Sequence, residues 1–120
     1  MYYCVDLYHY YLLFDGHTCN VREISSDKDI WAFAYKEDER ATNLMCKPVK
    51  GRIKDEYFYE YKVNGKDLKK NGVTLYARYF ADTYEEAVKG FNALVNQRIE
   101  SLRREINKLE NMLISLDGEV

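Results

Sequence analysis

Proline occurs once in the chain, at Pro48, and no run of Gly, Pro and Ser breaks it, so nothing reads as a linker between two domains. With 120 residues, a single domain is expected, residues 1–81 forming a sheet portion and residues 82–117 a long helix. The three cysteines, Cys4, Cys19 and Cys46, cannot all pair within one chain and none sits in a CxxC. That argues against a disulfide-stapled secreted scaffold and for a reducing cytoplasm. Neither charge sign dominates: 18 basic residues face 20 acidic ones, a net charge of −2. A general nucleic-acid binder would be basic overall, so no nucleic-acid partner is expected. No stretch approaches the apolar length of a membrane span, and the apolar N-terminal run is studded with Tyr, His and Asp without a basic leader. Neither a transmembrane segment nor a signal peptide is therefore expected.

Catalytic signatures are equally scarce. There is no GxSxG, no P-loop and no His/Cys pairing at a spacing that suits nucleophilic work, so no catalytic residue is assigned. His17 and Cys19, with Cys4 and His9 across a hairpin, are the only grouping that resembles metal ligands. Their spacing matches no standard zinc module, and such cysteines serve more often as small core hydrophobes. No metal and no cofactor is assigned.

What the chain does have is a stretch, Asp82 to Leu116, with nothing inside it to break a helix. Val88, Val95, Leu102, Leu109 and Leu116 recur every seven residues, and Ile99, Ile106 and Leu113 interleave as in the seam of a coiled coil. Asp82 or Thr83 is the expected N-cap, with Glu85 and Glu86 as capping-box partners, and Gly118 suits a stop. Such a helix would run about 50 Å. A compact domain of this length has a radius of gyration of about 13–14 Å and a diameter of about 35 Å, so one end must project. A homo-oligomer joined through the C-terminal helix is the expected consequence.

Upstream, residues 2–14 and 17–25 read as a hairpin closed by Asp15-Gly16. Ile30 to Lys36 alternates Trp31, Phe33 and Tyr35 with Ala32 and Ala34, a strand with one aromatic face. Pro48 confines the next segment to an edge or a strand start. Val49 to Ile53 and Tyr57 to Val63 read as short strands, Asn64-Gly65 and Asn71-Gly72 as turns, and 73–80 as a last strand running into the helix. The fold class is α+β: an N-terminal antiparallel sheet of about five or six strands, then one long helix that pairs with other subunits.

Lys47, Lys50, Arg52 and Lys54 form one basic run, Lys66, Lys69 and Lys70 another. Solvated surface charge is the ordinary reading of both. Arg78 beside Tyr79-Phe80 is the pairing that can hold a base and its phosphates. Asn92, seven residues before Ile99, occupies a seam position, where it either fixes register or faces a pocket near Arg78 and Phe80.

The runs KPVKGRI (47–53), YFYEYK (57–62) and VTLYARYFADTYEEAVKGFNALVNQRI (73–99) resemble small phage proteins of the Thoeris anti-defence sponge family, over about residues 47–110. The resemblance implies a non-enzymatic protein of the host cytoplasm that binds a small cyclic nucleotide signal of the cyclic ADP-ribose type and keeps it from its effector. It also implies an N-terminal sheet, long C-terminal helices and oligomeric assembly. An aromatic on the last strand and an Asn on the following helix contribute to that family's pocket, for which Phe80 and Asn92 are the nearest residues here. The expected ligand-binding set is Tyr76, Arg78, Phe80 and Asn92. Two other classes stay open: an inhibitor that blocks a defence enzyme by direct contact through Glu37-Asp38-Glu39 and exposed tyrosines, and an assembly protein whose coiled coil is its whole function.

Overall fold

The computed structural model describes residues 1–4, 18–20, 24, 27–37, 43–55, 57–75, 78–114 and 116. The described chain forms β1 (Tyr2–Cys4), β2 (Thr18–Asn20), β3 (Ile30–Glu37), β4 (Asn43–Lys54), β5 (Tyr57–Tyr61), β6 (Leu68–Thr74), β7 (Tyr79–Ala81) and α1 (Tyr84–Glu110). This is the expected α+β order, with one sheet followed by one helix. The strands run β2-β1-β7-β3-β4-β5-β6 across the sheet. Every pairing is antiparallel except β1 with β2.

That exception corrects the first hairpin. Tyr2 stands opposite Thr18 and Cys4 opposite Asn20 in parallel register, and parallel neighbours need a crossover rather than a tight turn. The expected Asp15-Gly16 turn itself lies outside the described residues, as do His9 and His17.

The expected strand 73–80 is also divided in two. Leu75 and Phe80 are both buried in the same cluster. Five residues apart on one continuous strand they would point to opposite faces. The backbone resolves the conflict by turning at Leu75, whose carbonyl accepts from the Arg78 amide at 3.2 Å. β6 stays at one edge, while β7 inserts between β1 and β3. Asn71-Gly72 marks no turn: it lies inside β6, where the register with β5 slips between the Tyr59–Lys70 and Tyr57–Thr74 pairs. Pro48 is not at a strand start: it lies inside β4, in the stretch that pairs with β3 but not with β5 among the described residues. The register passes from Ala32–Val49 to Ala34–Cys46, so Lys47 and Pro48 together oppose Phe33. A bulge is the place where a sheet tolerates the missing N–H. Asn64-Gly65 is a turn as expected, with Gly65 at φ 73° and the Asn64 Oδ1 accepting from the Lys66 and Asp67 amides at 2.9 and 3.2 Å.

The sheet is strongly curled. β5 and β7 are three strand steps apart, about 14 Å in a flat sheet. Yet the rings of Phe58 and Phe80 lie 5.7 Å apart. The concave face buries Tyr3, Ile30, Ala32, Ile53, Phe58, Leu75 and Phe80. The convex face buries Tyr2, Cys4, Phe33, Tyr79 and Ala81 against Ala87 and Leu94 of the helix. The aromatic stripe of β3 therefore serves the helix: Trp31 packs on Tyr84 at 4.8 Å, and Tyr35 meets Phe91 edge-on at 6.5 Å. Tyr2 anchors the first turn by donating to the Glu86 carbonyl at 2.8 Å.

Thr83 is the N-cap, accepting from the Glu86 amide at 3.2 Å, with Glu85 and Glu86 in the first turn. The helix ends at Glu110 with Asn111 as C-cap, earlier than the sequence pattern predicts; its last two turns are exposed, and among the described residues no tertiary packing extends it. Its 27 residues still make a rod about 40 Å long. The buried positions, Ala87, Gly90 and Leu94, all lie in its first half. The second half projects, and the molecule measures 68 × 30 × 25 Å with a radius of gyration of 18.6 Å.

Candidate functional site

Of the expected ligand-binding residues, Arg78 and Phe80 come together and Asn92 does not join them; Tyr76 lies outside the described residues. Phe80 is fully buried on the concave face. Arg78, the residue before β7, is 3% exposed and lies over Phe58, which shares the concave cluster with Phe80. Its guanidinium sits over the Phe58 ring at 5.5 Å and donates through Nη2 to Asn71 Oδ1 at 2.5 Å. Among the described residues, its Nε and Nη1 are buried without a hydrogen-bond partner. Burial pushes the guanidinium below its ordinary pKa, while Cys46 and Glu60 pull the other way. Each unmet donor costs on the order of 1–3 kcal/mol. Asn92, by contrast, is exposed on the helix, and the helix covers the opposite, convex face. The sequence supplies the right spacing for an Arg/Phe pair but carries no signal that the curled sheet separates them from Asn92.

The other half of the convex face holds an arrangement that the lysine runs alone did not disclose. Alternation places Lys50, Arg52 and Lys54 of β4 on the side away from Ile53, and Tyr57, Tyr59 and Tyr61 of β5 on the side away from Phe58. There Lys50 lies 5.9 Å from the Tyr61 ring centre, Lys54 5.6 Å from Tyr59, and Lys70 of β6 3.5 Å from Tyr57. The three lysines are exposed and the three tyrosines half-buried. Asp29 braces one end. Its Oδ1 accepts from Tyr61 Oη at 2.6 Å and from Arg52 Nε at 2.8 Å. These two bonds, Tyr61's first, hold the Asp29 carboxyl below its usual range. The period-2 spacing of 50/52/54 and 57/59/61 is the sequence signal for this face; what it lacks is the register that pairs the two runs.

Among the described residues, no group of His, Cys, Asp and Glu is placed to hold a metal ion, and no helix is long and apolar enough to cross a membrane. Glu37 ends β3, while residues 38 and 39 of the acidic run lie outside the described residues. No protein-family model, no curated protein and no solved structure matches the chain. The fold class and the geometry of these two faces are therefore what bear on function.

Proposed function

We propose that this protein is a non-enzymatic phage anti-defence protein that binds and sequesters a cyclic nucleotide immune signal of the cyclic ADP-ribose type in the host cytoplasm, as an assembly of like copies joined through the C-terminal helix. The observation that carries the ligand reading is the Tyr57/Tyr59/Tyr61 face with Lys54, Lys70 and Lys50 set against its rings. A signal of the cyclic ADP-ribose type offers an aromatic base and two phosphates. Tyrosine rings supply stacking surface, and ammonium groups with three donors each supply phosphate contacts. Arg78 and Phe80 are a second anchor only for a ligand that opens the concave face, since both are buried.

Calorimetric titration with cyclic ADP-ribose isomers tests this directly. Tyr59→Ala is expected to cost about 1–3 kcal/mol of binding, roughly five- to 150-fold in affinity. The bound molecule should come off chemically unchanged on denaturation. Binding undiminished in a Tyr59→Ala/Lys54→Ala variant removes this face from consideration, and release of a cleaved product moves the chain into the enzyme class. A second reading, in which assembly is itself the function, is favoured by the exposed apolar stripe on the projecting helix.

A further inference from the structure

On the projecting half of α1, Ile99, Leu102, Ile106 and Leu109 form an apolar stripe, 38%, 39%, 54% and 63% exposed. Their 3/4 spacing sets the heptad. Within the helix, Asn92, Ile99 and Ile106 take one seam position (a), and Val88, Val95, Leu102 and Leu109 the other (d). The flanking positions are then fixed. Arg98 and Glu105 fall at g, and Arg103 and Glu110 at e.

These four charges decide between orientations. In a parallel, in-register pair each g residue meets the e residue five positions on in the other helix. Arg98 would face Arg103 and Glu105 would face Glu110, every contact between like charges. In an antiparallel pair, g meets g and e meets e. One register, with Leu102 level with Ile106 of the second copy, sets Arg98 against Glu105 and Arg103 against Glu110 at the same five-position offset as in the parallel case, each occurring twice by symmetry. The same register stacks Leu102 on Ile106 of the second copy and Ile99 on its Leu109, so the apolar layers and the ion pairs agree. Such like-charge contacts disfavour the parallel arrangement and opposite ones select the alternative.

We infer that the C-terminal helix is a self-recognition surface that docks a second copy of this chain antiparallel, with the two sheets at opposite ends. The inference rests on the assembly part of the proposed function and gives it an orientation and a register.

Arg103 and Glu110 are exposed, so changing them leaves the fold intact. Sedimentation equilibrium should find a dimer or a multiple of it for the natural protein. Arg103→Glu should raise the dissociation constant roughly five- to thirtyfold, because two favourable contacts become repulsive. Arg103→Glu/Glu110→Arg should bring it back to within about threefold of the natural value. A tighter dimer with Arg103→Glu overturns the orientation in favour of parallel pairing, and no change in either variant overturns it as well. A natural protein that is monomeric at 100 µM, on the order of the weakest useful affinity, overturns the assembly itself. Titration of the nucleotide on the same variants is read separately: loss of the dimer with ligand binding retained refutes only the interface.

Discussion

Gly51 gives the sharpest test of the curled sheet. A Cβ placed there would lie 2.0 Å from the Tyr59 carbonyl oxygen, 2.6 Å from Phe58 Cζ and 2.8 Å from Glu60 Cα. Two of these three atoms are backbone, held by the β4–β5 ladder in which Gly51 stands opposite Glu60. The third belongs to a ring with no solvent exposure. Overpacking of this kind costs about 1–3 kcal/mol, and a backbone clash puts Gly51→Ala at the upper end. The smaller conformational freedom of Ala in the unfolded chain returns about 0.4–1 kcal/mol. The net expectation is a loss of about 2 kcal/mol, or a fall in Tm of roughly 6–10 °C for a chain of this size. Gly65→Ala is the control. Its Cβ meets nothing within 4 Å, and only the left-handed backbone at φ 73° opposes it, at about 1 kcal/mol. Scanning calorimetry of both variants reads the difference. A Gly51→Ala protein as stable as the natural one would mean that β5 does not approach β4 this closely, and the curl that brings Phe58 to Phe80 would lose its basis.

Other perturbations separate the remaining features. Gly90→Ala gains about 1 kcal/mol of helix propensity, but its Cβ would come within 2.4 Å of Phe33 Cζ and 2.7 Å of Cε2. Thermal melts should therefore show a small net loss, and a gain of the full helix term would refute the close seat of the helix. Arg78→Met removes a buried cation with two unmet donors, so stability should hold or rise by about 1 kcal/mol in denaturant titration; a loss above about 2 kcal/mol would mean that the guanidinium is fully satisfied. Asp82 is pushed up by burial, but Lys28, Tyr3 and the N-terminal amine outweigh this and hold its carboxyl below the ordinary value. A depressed folded pKa contributes stability above the unfolded value of about 3.9, and that stability is lost as pH falls through the folded one. Tm measured from pH 6 down to 2 should drop below about pH 4, and Asp82→Asn should flatten that limb.

How far the sequence could be read depends on where the information lies. Local signals held. The alternation of 30–36 produced β3 with its aromatic stripe toward the helix, Asn64-Gly65 produced a turn, and Thr83 with Glu86 capped α1. Signals that depend on a partner strand did not. Asn71-Gly72 has the chemistry of a turn, yet it accommodates a slip in register against Tyr57 to Tyr59. Pro48 has the chemistry of a strand start, yet it sits inside β4 in a bulge opposite Phe33. The candidate site divides the same way. Arg78 and Phe80 share a face, being two residues apart at the entry to β7, a spacing that the sequence states. The curl that lays Phe58 beneath Arg78 and leaves Asn92 on the far side is a property of the whole sheet.

The exposed seam also bounds how strong self-association through it can be. Fully covering a Leu or Ile side chain contributes about 1.5–3 kcal/mol. The four seam residues from Ile99 to Leu109 are only 38–63% exposed to begin with, so a pair of helices gains on the order of 10 kcal/mol from apolar burial. Association costs about 4–15 kcal/mol in lost freedom before any side chain is ordered. Burial alone therefore leaves the dimer near the balance point, and apolar area does not choose between parallel and antiparallel seams, because both bury the same residues. Under those conditions pairs worth only about 0.2–1 kcal/mol each decide the orientation. Their contribution falls with ionic strength, so dimer affinity should weaken between 50 mM and 500 mM salt in the natural protein and strengthen over the same range in Arg103→Glu, where the screened contacts are repulsive.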